Sequence, residues 1–265
     1  MKTYFKLEFK KTIFSLRTII FILIILTSLV IPYLQEIAFP FPGLDGVDYY
    51  IRISSFSYIG FIGPVLAGLI YSTSIIKDKE SGFINKLLEI INIKTYFKVK
   101  LAVNTLITFI VFAVGHGVFM VYLIITKGVS NTVVKDIAFG AFTSIYDVSK
   151  ISYIMLMLLV ISLSSAAFSI FMLGVITATQ KKFIAYILPG FYVITTAILF
   201  EIWPLNNIVD FNVTKLFNLI MNNNTRGGSV IIYDLILMLL GVLLLYKFGY
   251  KRFLALDEDT TYKLT

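Results

Sequence analysis

Six apolar runs, at 18–37, 53–76, 101–126, 151–177, 183–203 and 230–250, constrain this chain more than anything else in it. Each is close to the ~20 residues an α-helix needs to cross the hydrocarbon core of a bilayer. In lipid a backbone must satisfy its own hydrogen bonds, so runs of this length are expected to be membrane-spanning helices. The mean hydropathy of +0.89 and the 14% of charged residues agree, since a water-soluble surface needs more charge than that. The expected fold class is an all-α integral membrane protein, one transmembrane domain over 1–265 with no separate soluble domain.

Lysines and arginines set the expected topology. The segment 1–17, the loop 77–100, the Lys181-Lys182 turn and the tail from Lys247 hold 17 of the 23. The three alternating loops hold Arg52, then Lys127, Lys135 and Lys150, then Lys215 and Arg226, and the first of them, through Phe39-Pro40-Phe41-Pro42-Gly43-Leu44-Asp45-Gly46, is expected to be irregular. The excess marks the first set as cytoplasmic and the protein as a multi-pass plasma-membrane protein with both termini inside. A net charge of +8 distributed in this way is a topology signal, and no nucleic-acid partner is expected. There is no cysteine, which excludes disulfides, thiol nucleophiles and thiolate metal sites.

Two connecting segments carry helical periodicity. In 1–17, Phe5, Phe9, Ile13 and Leu16 share one face while Lys2, Lys6, Lys10 and Lys11 supply charge, the pattern of an interfacial amphipathic helix. Between the second and third runs stands Lys77-Asp78-Lys79-Glu80-Ser81-Gly82, followed by a helix predicted over 83–92. Phe83, Ile84, Leu87, Leu88, Ile90 and Ile91 fall on one arc of it; Asn85, Lys86, Glu89 and Asn92 fall on the other. Asp78 or Ser81 is expected to cap it, with Gly82 letting the chain bend. It reads either as a plain connector or as a docking helix that passes force from a soluble motor into the membrane. A third, short helix is predicted in the outer segment 204–229, from Val213, Leu216, Phe217, Leu219 and Ile220.

Little in the chain suits catalysis, and it is not expected to be an enzyme. His116, the only histidine, stands between Gly115 and Gly117 inside the third run and suits a hydrogen bond to a neighbouring helix better than a metal site. Gly60, Gly63, Pro64 and Gly68 give the second run a small-residue face for close packing, with a kink expected at Pro64. Ser164 and Ser165, among the serines and alanines of the fourth run, suit packing too; with His116 they are also the weak candidates for a polar cargo path. Glu201 and Asp234 are the acids near the outer ends of the last two runs. No GxxxxGK[ST] phosphate loop occurs, so any ATP, with its Mg, is expected on a partner and no cofactor on this chain.

Together, the basic amphipathic start, Asp78-x-Glu80-x-Gly82 after the second run, the helix through Leu87-Leu88 and the outer helical segment make this chain resemble the small six-span permease subunit of a type-2 ABC exporter. The resemblance covers nearly the whole chain. It departs after the leucine pair, where family members often have proline and this chain has Ile91-Asn92-Ile93. The resemblance implies pairing with a second permease subunit and docking of an ABC ATPase on Lys77, Asp78, Lys79, Glu80, Ser81, Gly82, Lys86 and Glu89. It also implies outward movement of an amphipathic or lipophilic cargo such as a peptide, drug or lipid-linked molecule. The alternative from another class is a membrane scaffold or sensor that binds a cytoplasmic partner through 77–100 and transports nothing.

Overall fold

The computed structural model describes residues 2–38, 43–130, 132–134, 137, 140–202, 210–219 and 226–251, the side chain of Glu201 excepted. In chain order the helices are α1 (Lys2–Ile13), α2 (Leu16–Ala38), α3 (Gly46–Phe56), α4 (Ile59–Leu69), α5 (Ser74–Glu80) and α6 (Phe83–Leu88). Then come α7 (Ile93–Lys127), α8 (Thr143–Val148), α9 (Lys150–Thr179), α10 (Lys182–Ile202), α11 (Val213–Phe217) and α12 (Gly227–Leu244). The last helix continues as a π-helical turn, Leu245–Tyr250. There is no strand among the described residues. Among the described residues six stretches are long and apolar enough to cross a membrane: Leu16–Ala38, Ile59–Glu80, Ile93–Lys127, Lys150–Thr179, Lys182–Phe200 and Gly227–Tyr250.

The first and last described helical stretches, α1 and the π-helical turn, share one face of the bundle. Tyr4 of α1 stacks on Tyr96 at the start of α7, and the neighbouring Phe97 meets Tyr250. We call this the terminal end; α3, α8 and α11 lie at the far end. α9 is the central post, with α7, α12, α4, α8 and α10 packed around it. Its closest approach is to α12, where Gly174 lies against the backbone of Gly241, and Gly241 against that of Ile170. α10 is the least covered span, and its Phe183, Ile187, Phe191, Ile194 and Ile198 face outward, as lipid-facing residues do.

Three boundaries differ from the sequence expectation. The second span starts at Ile59, and the residues before it form the separate helix α3. Asp45 accepts from the amides of Val47 and Asp48, and the Asp48 carboxylate accepts from the Asp45 amide, so a capping box starts α3 where an irregular loop was expected. α4 runs through Pro64, and the interruption comes later, at 70–73. Finally, the helix predicted over 83–92 is only Phe83–Leu88; Asn92 caps α7 instead, its side chain accepting from the Lys94 amide at 2.8 Å.

The short helix α11 does form. It does not lie on the surface: Val213, Leu216 and Phe217 are buried. Phe217 reaches Phe112 and Phe168, near the midpoints of α7 and α9, so α11 dips into the bundle. The small-residue face of α4 receives it, with Gly63 under the Phe217 ring and Gly60 beside Thr214 and Asn218. Gly68 instead makes room for Pro189 of α10.

α7 provides a direct test of the crossing number. At 1.5 Å per residue its 35 residues span roughly 50 Å, more than a bilayer core. Cysteines introduced singly at Lys86 and Lys127 in this cysteine-free chain are expected to react with an impermeant maleimide from opposite faces of sealed vesicles. Reaction of both from one face would contradict the six-span fold.

Candidate functional site

Lys77 to Glu89 forms a helical hairpin at the terminal end, α5 turning into α6 through Gly82. That glycine has φ +68°, a left-handed conformation that a side chain would strain, and its neighbourhood is open, so conformation alone accounts for glycine there. Neither Asp78 nor Ser81 caps α6: Gly82 occupies the N-cap position with no side-chain bond. α6 is amphipathic as expected. Ile84 is buried, Leu87, Leu88 and Ile91 lean on the core, and Asn85, Lys86 and Glu89 are exposed. Ile90, expected on the apolar arc, is 81% exposed because the helix has ended before it.

The charged residues before Gly82 divide into two sets. Glu80 pairs with Lys182 at the start of α10, and Lys79 donates to the Gln180 side chain at 2.9 Å. These contacts tie the hairpin to the α9–α10 turn, while Lys77, Glu80 and Ser81 remain exposed. Asp78 points the other way. Its carboxylate lies 2.7 Å from the Lys100 ammonium and accepts from the Tyr96 hydroxyl at 2.9 Å. Of the residues expected to dock a partner, Asp78 is therefore held inside by its own chain.

Lys100 is fully buried and has a second carboxylate partner, Glu8 of α1, at 2.5 Å. Glu8 also accepts from the Tyr71 hydroxyl at 2.6 Å. Burial by itself would raise the Glu8 carboxyl. The Lys100 charge, with hydrogen bonds from Lys100 and Tyr71, more than reverses this and holds it below its ordinary value. The N-terminal helix is thus more than a surface float. Phe5, Phe9 and Ile13 lean on the core as the periodicity predicts, but Tyr4 is buried and Glu8 anchors the helix to Lys100 of α7 and to Tyr71 in the 70–73 break. Leu16 does not share that face; it opens α2 and is 73% exposed. Periodicity could not reveal the Glu8–Lys100–Asp78 triad, because its members lie 92 and 22 residues apart. The one signal was an acid inside an otherwise basic helix.

A matching ion cluster closes the far end. Lys150 is buried between Asp45 at 2.8 Å and Asp48 at 2.7 Å. Tyr146 donates to Asp48 at 2.6 Å, and the amide and hydroxyl of Ser130 donate to Asp45. Burial raises the Asp45 carboxyl, and the bonds from Lys150, the Asp48 amide and Ser130 outweigh that and lower it.

The candidate path residues fall in separate places. His116 is buried and its Nδ1 meets the Tyr50 hydroxyl of α3 at 2.8 Å, the neighbouring-helix bond expected of it. Ser164 donates to Asp234 of α12 at 2.7 Å, and Ser165 to the Ser162 carbonyl. These contacts do not bring His116 to the serines. The Glu201 side chain lies outside the described residues.

A cavity of about 620 Å³ opens at the far end between α4, α10 and α11. Phe61, Ala197, Ile198 and Ile202 make its apolar wall, and Asn212, Thr214, Lys215 and Asn218 its polar one. The Asn218 side-chain oxygen is buried there with no protein partner, while Lys215 pairs with Asp210. Among the described residues no group of acids and histidine is arranged to hold a metal ion. Compared with known protein families, curated proteins and solved structures, the chain matches none.

Proposed function

We propose that this chain is the membrane-spanning subunit of an ATP-driven exporter, working in pairs with a second copy or a related subunit. Its terminal end would face the cytoplasm of a cell whose plasma membrane it spans. The observation that carries the reading is the α5–α6 hairpin. It offers a small charged tip, Lys77, Glu80, Ser81, Lys86 and Glu89, on a base rooted in α1, α7 and α10 by Asp78–Lys100–Glu8 and Glu80–Lys182. A motor pushing on such a tip moves the spans with it, because the Asp78–Lys100–Glu8 pairs at its base are buried. ATP and Mg belong to the motor subunit. The far-end cavity, apolar on one wall and polar on the other, has the size and mixed lining of a small-ligand site and suits an amphipathic cargo.

The test reverses charge at the tip. In Glu80→Lys/Glu89→Lys, attraction to basic residues of a motor becomes repulsion, which costs several kcal/mol across an interface. The chain is expected to insert at its normal level and to lose co-purification of its ATPase. Because Glu80 also pairs with Lys182, Glu80→Lys/Lys182→Glu serves as control: it keeps that internal pair with its polarity exchanged. Unchanged ATPase retention and cargo-stimulated turnover in the double reversal would remove the docking assignment and favour a non-transporting scaffold.

A further inference from the structure

One ridge of α7 is buried along most of the helix. Tyr96, Lys100, Asn104, Thr108, Phe112 and His116 follow one another at four-residue spacing, none more than 1% exposed. Such a ridge winds gradually round the helix, so its members meet different neighbours. Lys100 lies between Glu8 and Asp78; one turn on, the Asn104 amide donates to the Ser169 hydroxyl of α9 at 2.9 Å. At its other end His116 meets Tyr50. α3, which carries Tyr50, packs on α9, whose Tyr153 ring is 5.6 Å from Tyr146, which bonds Asp48 beside Lys150. The ridge therefore runs from one ion cluster toward the other.

Four side-chain atoms along this line are buried without a protein partner: Asn104 Oδ1, Thr108 Oγ1, His116 Nε2 and the Tyr153 hydroxyl. Each such group is costly to leave unsatisfied. Polar atoms in series, each lacking a partner and set among other polar groups, are where proteins hold internal water. Packing alone would favour apolar residues at these positions, and an ionisable group within a span is by default a functional one. The line is broken once. Phe112 stacks on His116 and meets Phe217, carried in by α11, at a centroid distance of 5.5 Å, with Phe168 behind Phe217.

We propose that the α7 ridge is a water-bearing proton path between the two ion clusters, closed at Phe112 by the Phe217 ring of α11. In the relay Tyr50 gives its hydroxyl proton to His116 Nδ1 and takes another from the Tyr153 side. The resulting imidazolium releases its Nε2 proton toward Thr108. One proton has crossed the ring, no bond besides O–H and N–H has changed, and water-mediated exchange of the remaining ring proton from Nδ1 to Nε2 restores the starting tautomer. The titratable groups facing His116 are Tyr50 from α3 and, beyond it, Tyr153 from α9; Phe112 and Phe217 supply the apolar closure, and the Phe119 ring packs against Tyr50.

The test uses the purified full-length chain in liposomes containing a pH-sensitive dye, with a potassium diffusion potential to drive protons. The unaltered chain is expected to match protein-free liposomes. Phe112→Ala and, separately, Phe217→Ala are expected to raise proton entry several-fold, and adding His116→Phe to Phe112→Ala to abolish the increase. No increase in either folded phenylalanine variant overturns the proposal; so does an increase that survives His116→Phe, since that is a non-specific leak. If neither phenylalanine variant folds, the hydrated line is tested without them. Thr108→Cys is close in size, and silver ion supplied at the Lys100 end is expected to form a mass adduct at that thiol, above any adduct on the cysteine-free chain. Val111→Cys, in an apolar buried position, is expected to stay unmodified. No adduct at Thr108→Cys overturns the proposal.

Discussion

Lys100→Met is expected to destabilise the protein by about 3–5 kcal/mol, the cost of leaving buried carboxylates without their counter-charge. Two acids depend on this one ammonium: Glu8 and Asp78, with side chains 11% and 16% exposed. Methionine fills the same space and keeps the apolar stem, so the loss reports charge compensation and not a cavity. Neutralising all three in Lys100→Met/Glu8→Gln/Asp78→Asn is expected to recover much of the loss, because the uncompensated charges are gone. The measurement is thermal unfolding in detergent. A single variant as stable as its parent would mean that the triad is hydrated and contributes nothing.

The same triad predicts a pH dependence with a defined sign. The Glu8 carboxyl is held below its ordinary value of 4.5 in the folded chain, so the folded state binds fewer protons there than the unfolded one. Its contribution is complete above 4.5 and is lost as the pH falls through the lowered value. Asp45 acts in the same direction at the far end, below its ordinary 3.8. Acidification is therefore expected to loosen both ends of the bundle, and Glu8→Gln to flatten the terminal-end part of that profile.

The six spans were legible because a bilayer demands twenty apolar residues in a row, a requirement written locally in the chain. α11 was legible for a similar reason: Val213, Leu216 and Phe217 repeat at helical spacing. Its depth was not, since that depends on Gly63 lying opposite Phe217, a pairing 154 residues apart that no periodicity records. α3 was missed although its signal was present. Asp45 and Asp48 stand at capping-box spacing, but the nearby prolines and glycines of 39–46 favoured an irregular reading.

The charged candidates show the same limit. Lys77, Asp78, Lys79 and Glu80 are indistinguishable by composition, and a docking surface was expected to use all of them. The fold turns Asp78 inward to Lys100 while Lys77 and Glu80 remain exposed. Asp78 or Ser81 was expected to cap α6, yet Asp78 lies within α5 and turns to Lys100, and the Ser81 hydroxyl donates to the Asp78 carbonyl. Lys150 was counted with the outer-loop cations; burial between Asp45 and Asp48 shows that it is a structural group.

Gly241→Val is expected to separate α12 from α9, the most extensive helix pair in the bundle. A Cβ on Gly241 would stand 2.5–2.6 Å from the backbone of Ile170 and Phe171, where no side-chain rotation can relieve the clash. Gly174 faces the same contact from α9, so the two helices meet backbone to backbone, as small residues allow within a membrane. Overpacking usually costs about 1–3 kcal/mol, and a clash with main chain belongs at or above the top of that range. Two consequences separate this from general damage. The bond from Ser164 to Asp234 spans the same two helices, so the polar contact is expected to fail with the apolar one. By contrast Gly190 in α10 has nothing within 4 Å of its Cβ position, so Gly190→Ala is expected to be neutral or slightly stabilising through its helix propensity. The check is the pair of thermal midpoints together with crosslinking of cysteines placed across α9 and α12. Equal midpoints for Gly241→Val and Gly190→Ala, with the crosslink intact, would mean that the close approach of α9 and α12 does not hold the bundle together.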